Sequence, residues 1–68
     1  DEVKLNHPVS LYMEPEEAKT FHALSDCAVG TVADFLVWSA RYGAFHQFES
    51  QELTCLSLSK ILHQIQTL

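Results

Sequence analysis

Positive charge is what this chain has least of. Lys4, Lys19, Arg41 and Lys60 stand against nine acids, for a net charge of −5 with the histidines neutral. Four scattered cations do not build the clustered Lys and Arg surface of a broad phosphate binder, so a non-specific nucleic-acid surface is excluded. Glycines number two, Gly30 and Gly43, and leave no glycine-rich phosphate loop. The two cysteines, Cys27 and Cys55, are too few for a disulfide scaffold and lack CxxC spacing. They read as reduced thiols of a cytoplasmic protein, with a bridge between helices or subunits as the alternative. No run approaches the roughly 18 consecutive apolar residues of a membrane span and no signal peptide is visible, so no membrane association is expected. The first residue is Asp1 rather than methionine, as in a trimmed chain or a fragment.

Catalytic and metal-binding patterns are missing too. His7, His22, His46 and His63 sit at no ligand spacing with one another or with the cysteines, so no metal is expected. Glu14, Glu16 and Glu17 fall together at a helix start, where the helix dipole explains them. The serines have no recognisable His and Asp partners. The expectation is a protein without cofactor that is not an enzyme.

What is present is apolar material, and it is concentrated in one place. Apolar residues make up 47% of the 68-residue chain, an ordinary fraction for a single globular domain. The densest part is Val29 to Phe48, opening on Gly30-Thr31 and running through Val32, Ala33, Phe35, Leu36, Val37, Trp38 and Ala40. A helix apolar nearly all round belongs inside a bundle or a dimer. A chain this short gains a larger core by homodimerisation.

In chain order, residues 1–7 read as a flexible N-terminus. Val9, Leu11 and Met13 then alternate with Ser10 and Tyr12, the period of a short half-buried strand. A lone strand leaves its backbone unpaired, so the same strand of a second copy is its expected partner. Glu14-Pro15-Glu16-Glu17 starts a helix over about 15–28, with Ala18, Phe21, Leu24 or Ser25, and Ala28 as its stripe. Gly30 ends it and Thr31 caps the next helix, which runs to about Tyr42, or to Phe48 if Gly43 does not break it. Ser50, Gln51 and Glu52 begin a third helix over about 51–67, with Cys55, Leu58, Ile61, Leu62, Ile65 and Leu68 as a near-heptad stripe.

The order of alternating strand, proline-started helix, Gly-Thr junction and very apolar helix resembles the ribbon-helix-helix family of DNA-binding dimers. The resemblance covers roughly Val9 to Ala40. Met13-Glu14-Pro15-Glu16 matches the family's strand-to-helix step, and Phe21 and Leu24 match the apolar positions of its first helix. Gly30 and Thr31 match its junction without the usual spacer, and Phe35, Leu36 and Ser39 match the second helix. The resemblance implies a mainly α fold: a short N-terminal strand, three helices, and an intermolecular two-stranded antiparallel ribbon in a homodimer. Residues 8–48 would form the ribbon-helix-helix-like unit, and 49–68 a C-terminal helix. Val9, Leu11, Met13, Phe35, Leu36 and Trp38 would make the dimer core. Ser10 and Tyr12, with Lys4 nearby, would meet base edges, and the amides of Thr31 and Val32 a phosphate. The family places Lys, Arg, Asn or Gln where Ser10 and Tyr12 stand, which is a departure.

Two functions follow. The first is a dimeric DNA-binding transcriptional regulator or antitoxin-like repressor whose C-terminal helix, 51–67, takes a protein partner or enlarges the dimer core. The alternative is a small acidic helical protein–protein interaction module that touches no nucleic acid. The order of elements favours the first, and the net charge the second.

Overall fold

Pro15 opens the first helix, α1 (Pro15–Ser25), where its fixed φ and missing N–H cost nothing. The Glu17 carboxylate folds back to accept the Glu14 N–H at 3.0 Å, and Glu16 and Glu17 lie at the positive end of the helix dipole. The computed structural model describes residues 3–26, 29–47 and 52–67. Within them α1 stops at Asp26, which adopts a left-handed backbone at φ 53° and donates its N–H to the His22 carbonyl at 3.1 Å. The expected stop at Gly30 is therefore displaced. Gly30 is not left-handed, whereas Gly43 is, at φ 74°. Phe21 and Ser25 form the buried face of α1, so Ser25 rather than Leu24 takes the inward position.

Thr31 caps the second helix, α2 (Val32–Ala40), as expected. Its Oγ1 accepts the Asp34 N–H at 3.2 Å, and the Asp34 carboxylate accepts the Thr31 N–H at 3.4 Å. Beyond Ala40 the amides of Arg41, Tyr42 and Gly43 each reach back three residues, and the chain turns through Gly43 into a 3₁₀ turn, Phe45–Gln47. Gly43 does break the helix. The third helix, α3 (Cys55–Gln66), starts from Thr54, whose Oγ1 accepts the Ser57 N–H at 3.1 Å, so its start lies later than expected. The expected cap residues Ser50 and Gln51 lie outside the described residues, while Glu52 and Leu53 precede the helix.

The largest correction concerns the N-terminal strand. Among the described residues there is no strand. Val9–Tyr12 is a 3₁₀ turn closed by Leu11 N–H donating to the Pro8 carbonyl at 3.2 Å. Five alternating residues are too few to fix a period, and a period of three wins. Val9 is 2% exposed and Tyr12 half-buried, while Leu11 is 67% exposed. The backbone groups that a ribbon would offer to a second copy are used within the chain. Val9 N–H donates to the Gly30 carbonyl, Val32 N–H to the His7 carbonyl and Ala33 N–H to the Leu5 carbonyl, each at 3.0 Å. Pro8 and Thr31 form an isolated antiparallel bridge. The segment expected to be a free N-terminus and an intermolecular ribbon thus lies across the start of α2, with Val3 buried beneath it.

The core fills the space between the helices. Phe21, Phe35 and Trp38 meet at ring-centroid distances of 5.5 to 5.9 Å, Phe21 standing edge-on to the other two. Leu58, Ile61, Leu62 and Ile65 close it from α3, which packs against both α1 and α2. The body measures 26 × 23 × 18 Å.

Candidate protein-docking site

The residues expected to contact DNA do not form one surface. Lys4 and Ser10 are exposed on the N-terminal segment. Tyr12 is turned inward, its hydroxyl 2.7 Å from His7 Nδ1 and its ring stacked on the imidazole at 8° between planes. The Lys4 N–H donates to the same hydroxyl at 3.4 Å. Val32 is fully buried. The helix start formed by Thr31 and Val32 has no amide left for a phosphate. Val32 and Ala33 donate to the carbonyls of His7 and Leu5, Asp34 to Thr31 Oγ1, and Phe35 to the Thr31 carbonyl. All the donors that normally make a helix N-terminus an anion site are occupied.

Of the residues expected in a dimer core, Val9, Phe35, Leu36 and Trp38 are buried within one chain. Met13 is half-buried against that core, and Leu11 faces solvent. The apolar stripe of α3 is likewise consumed internally, leaving Leu56, at 74% exposed, beside a shallow trough of about 410 Å³ lined by Glu17, Lys60 and His63. Cys55 is a free, half-buried thiol at the first position of α3, and Cys27 lies outside the described residues. Among the described residues no three His, Cys, Asp or Glu side chains group as a metal site, and no helix is long and apolar enough to cross a membrane.

What the fold leaves open is one face of α2. With Val32, Phe35, Leu36, Trp38 and Ser39 turned inward, Val37 projects outward at 68% exposed, between half-buried Ala33 and Ala40. The helix expected to be buried on all sides is buried on most of its circumference only. Two other segments extend the apolar face. Leu5 is 52% exposed and is anchored at the N-terminal end of α2 because its carbonyl accepts the Ala33 amide. Phe45 packs at the C-terminal end, brought there by the turn through Gly43. Together they line an open groove of about 420 Å³ whose walls are almost wholly apolar.

The opposite flank of Val37 is polar. Asp34 and Arg41 border a second depression of about 190 Å³, with Val29 and Trp38 at its base. Asp34 and Arg41 are both exposed, and the Arg41 guanidinium makes no hydrogen bond or ion pair among the described residues. Val37 therefore stands as a ridge between an apolar groove and a pair of opposite charges. Single exposed apolar residues are ordinary on a protein surface; here three separate segments contribute to one apolar face, which makes it the candidate docking surface.

The sequence contained half of this site. Val37 and Phe45 belong to the apolar stretch singled out above, and the excess of that stretch is the signal. Leu5 escaped notice because the hydrogen bond that places it spans 28 positions, from Leu5 to Ala33, and no local pattern encodes it. Comparisons with protein-family models, curated proteins and solved structures give no match for this chain.

Proposed function

We propose that this chain is a non-enzymatic protein–protein interaction module of the cytoplasm, with the open face of α2 as its docking surface. The observation that carries the reading is Val37, two-thirds exposed at the centre of an apolar face that Leu5 and Phe45 extend at either end. A side chain of that type at that exposure gains free energy when covered, at roughly 25 cal/mol per Å² of apolar surface removed from water. The net charge of −5 supports a protein partner over nucleic acid, since it repels a phosphate backbone. The fully bonded N-terminus of α2 supports the same choice, and the free thiol of Cys55 suits a reducing compartment.

The test uses Val37→Asp, which places a charge on the face without touching the core. Affinity capture with the parent chain and with the variant should differ, the variant losing the bound proteins while its circular dichroism stays the same. Equal capture by both would overturn the docking face. A titration with duplex DNA at low salt should show no binding, and saturable binding there would overturn the exclusion of nucleic acid.

A further inference from the structure

The pattern of side chains on the open face of α2 is self-complementary. We propose that its occupant is a second copy of this chain, packed α2 against α2 in antiparallel orientation about a two-fold axis at Val37. The inference rests on the docking face and names its partner.

At about 100° per residue, Val37 defines the centre of the face, Ala33 and Ala40 fall about 40–60° to one side, and Asp34 and Arg41 fall about 40–60° to the other. In an antiparallel pair related by a two-fold axis, a residue before the axis on one helix meets a residue equally far beyond it on the other, on the same flank. Asp34 lies three positions before Val37 and Arg41 four positions after it. The mismatch of one position is about 1.5 Å along the axis, within reach of an arginine side chain. Asp34 of each copy thus meets Arg41 of the other, and the symmetry makes the ion pair twice.

The apolar flank obeys the same rule. Leu5 sits at the Ala33 end of the groove and Phe45 at the Ala40 end. The two-fold axis sets Leu5 of one copy against Phe45 of the other, again twice. Ala33 and Ala40 keep the flank low enough for the helices to approach at the short end of the usual 8–10 Å range. The Val37 side chains of the two copies then meet each other on the axis.

Parallel pairing fails on the same residues. A two-fold axis along the helices sets the charged flank of Asp34 and Arg41 against the partner's Ala33 and Ala40, and leaves both charges facing an apolar surface without a counter-charge. The charge pattern selects one orientation as well as one partner, the isologous arrangement that most homodimers use.

Sedimentation equilibrium on the 68-residue chain over a concentration series should give a reversible dimer. Val37→Asp should give a monomer of unchanged helicity. The decisive variants are Asp34→Lys and Arg41→Glu. Each alone places four like charges along the flank of its own dimer and should raise the dissociation constant about tenfold or more. Mixed in equal amounts, they should form a heterodimer with an affinity close to that of the parent, because both ion pairs return, one as in the parent and one with its charges exchanged. Recovery on mixing also shows that each variant is folded. A parent chain that stays monomeric at millimolar concentration overturns the inference, as does a dimer indifferent to Val37→Asp or a pair of variants that do not rescue one another. A monomeric parent from which Val37→Asp still removes captured proteins overturns the second copy and spares the docking face.

Discussion

Asp26 does the job that the sequence suggested for Gly30. Gly30 looks like the left-handed stop of α1, yet the left-handed residue is Asp26, four positions earlier. Aspartate tolerates that conformation better than most side chains, which is why the helix can end there without glycine. It still carries a steric cost and an unfavourable charge at the negative end of the helix dipole. Asp26→Gly is therefore expected to stabilise the fold by about 0.5–1 kcal/mol, seen as a rise of a few degrees in a thermal melt. Gly30→Ala is expected to be neutral or slightly stabilising, since an added Cβ meets nothing within 4 Å and the chain loses freedom when unfolded. The opposite pair of signs would mean that Gly30 is the stop after all.

At the scale of elements, the helices were legible because each rests on local chemistry. Pro15 with Glu16 and Glu17, Thr31 with Asp34, and the apolar spacing of Leu58, Ile61, Leu62 and Ile65 are signals contained within a few turns. The start of α3 lies later than expected because Thr54, which offers the same hydroxyl cap chemistry one turn beyond Ser50, is the residue that caps the helix. The N-terminal segment was illegible for a different reason. Its alternation was real, but its backbone partner is the Gly30–Thr31 junction of the same chain, a long-range pairing rather than a local one. This predicts an unusual exchange pattern. The first amides of a helix ordinarily lack partners and exchange fast, whereas the amides of Val32 and Ala33 should be protected to the level of the α2 interior. Hydrogen exchange read by NMR checks this directly. Rapid exchange at both positions would mean that the segment is not docked on the helix start.

For the whole molecule, the balance is between a core completed within one chain and a face that is not. Phe35 is fully buried and in ring contact with both Phe21 and Trp38. Phe35→Ala is expected to cost about 3–5 kcal/mol. That is a large share of the total for a domain of this size, on the order of 3–10 kcal/mol at 0.05–0.15 kcal/mol per residue. Denaturant titration should accordingly show a midpoint near zero or a chain already unfolded, and a loss below about 1 kcal/mol would place the core elsewhere. The sequence pointed to a partner copy through the apolar excess of α2, but it attached that partner to a ribbon. The strand does not form, and the apolar surface left open lies on the outward side of α2, where Val37 and Leu5 are exposed and half-buried Phe45 borders them. Most of the residues assigned to a dimer core complete the monomer instead, so association would rest on a smaller and different set.

Self-association through the α2 face is tested most directly by sedimentation equilibrium of the parent chain and Val37→Asp side by side. The expected result is a concentration-dependent dimer for the parent and a monomer of equal helical content for the variant. Identical mass distributions for the two, whether both monomer or both dimer, would contradict self-association through that face.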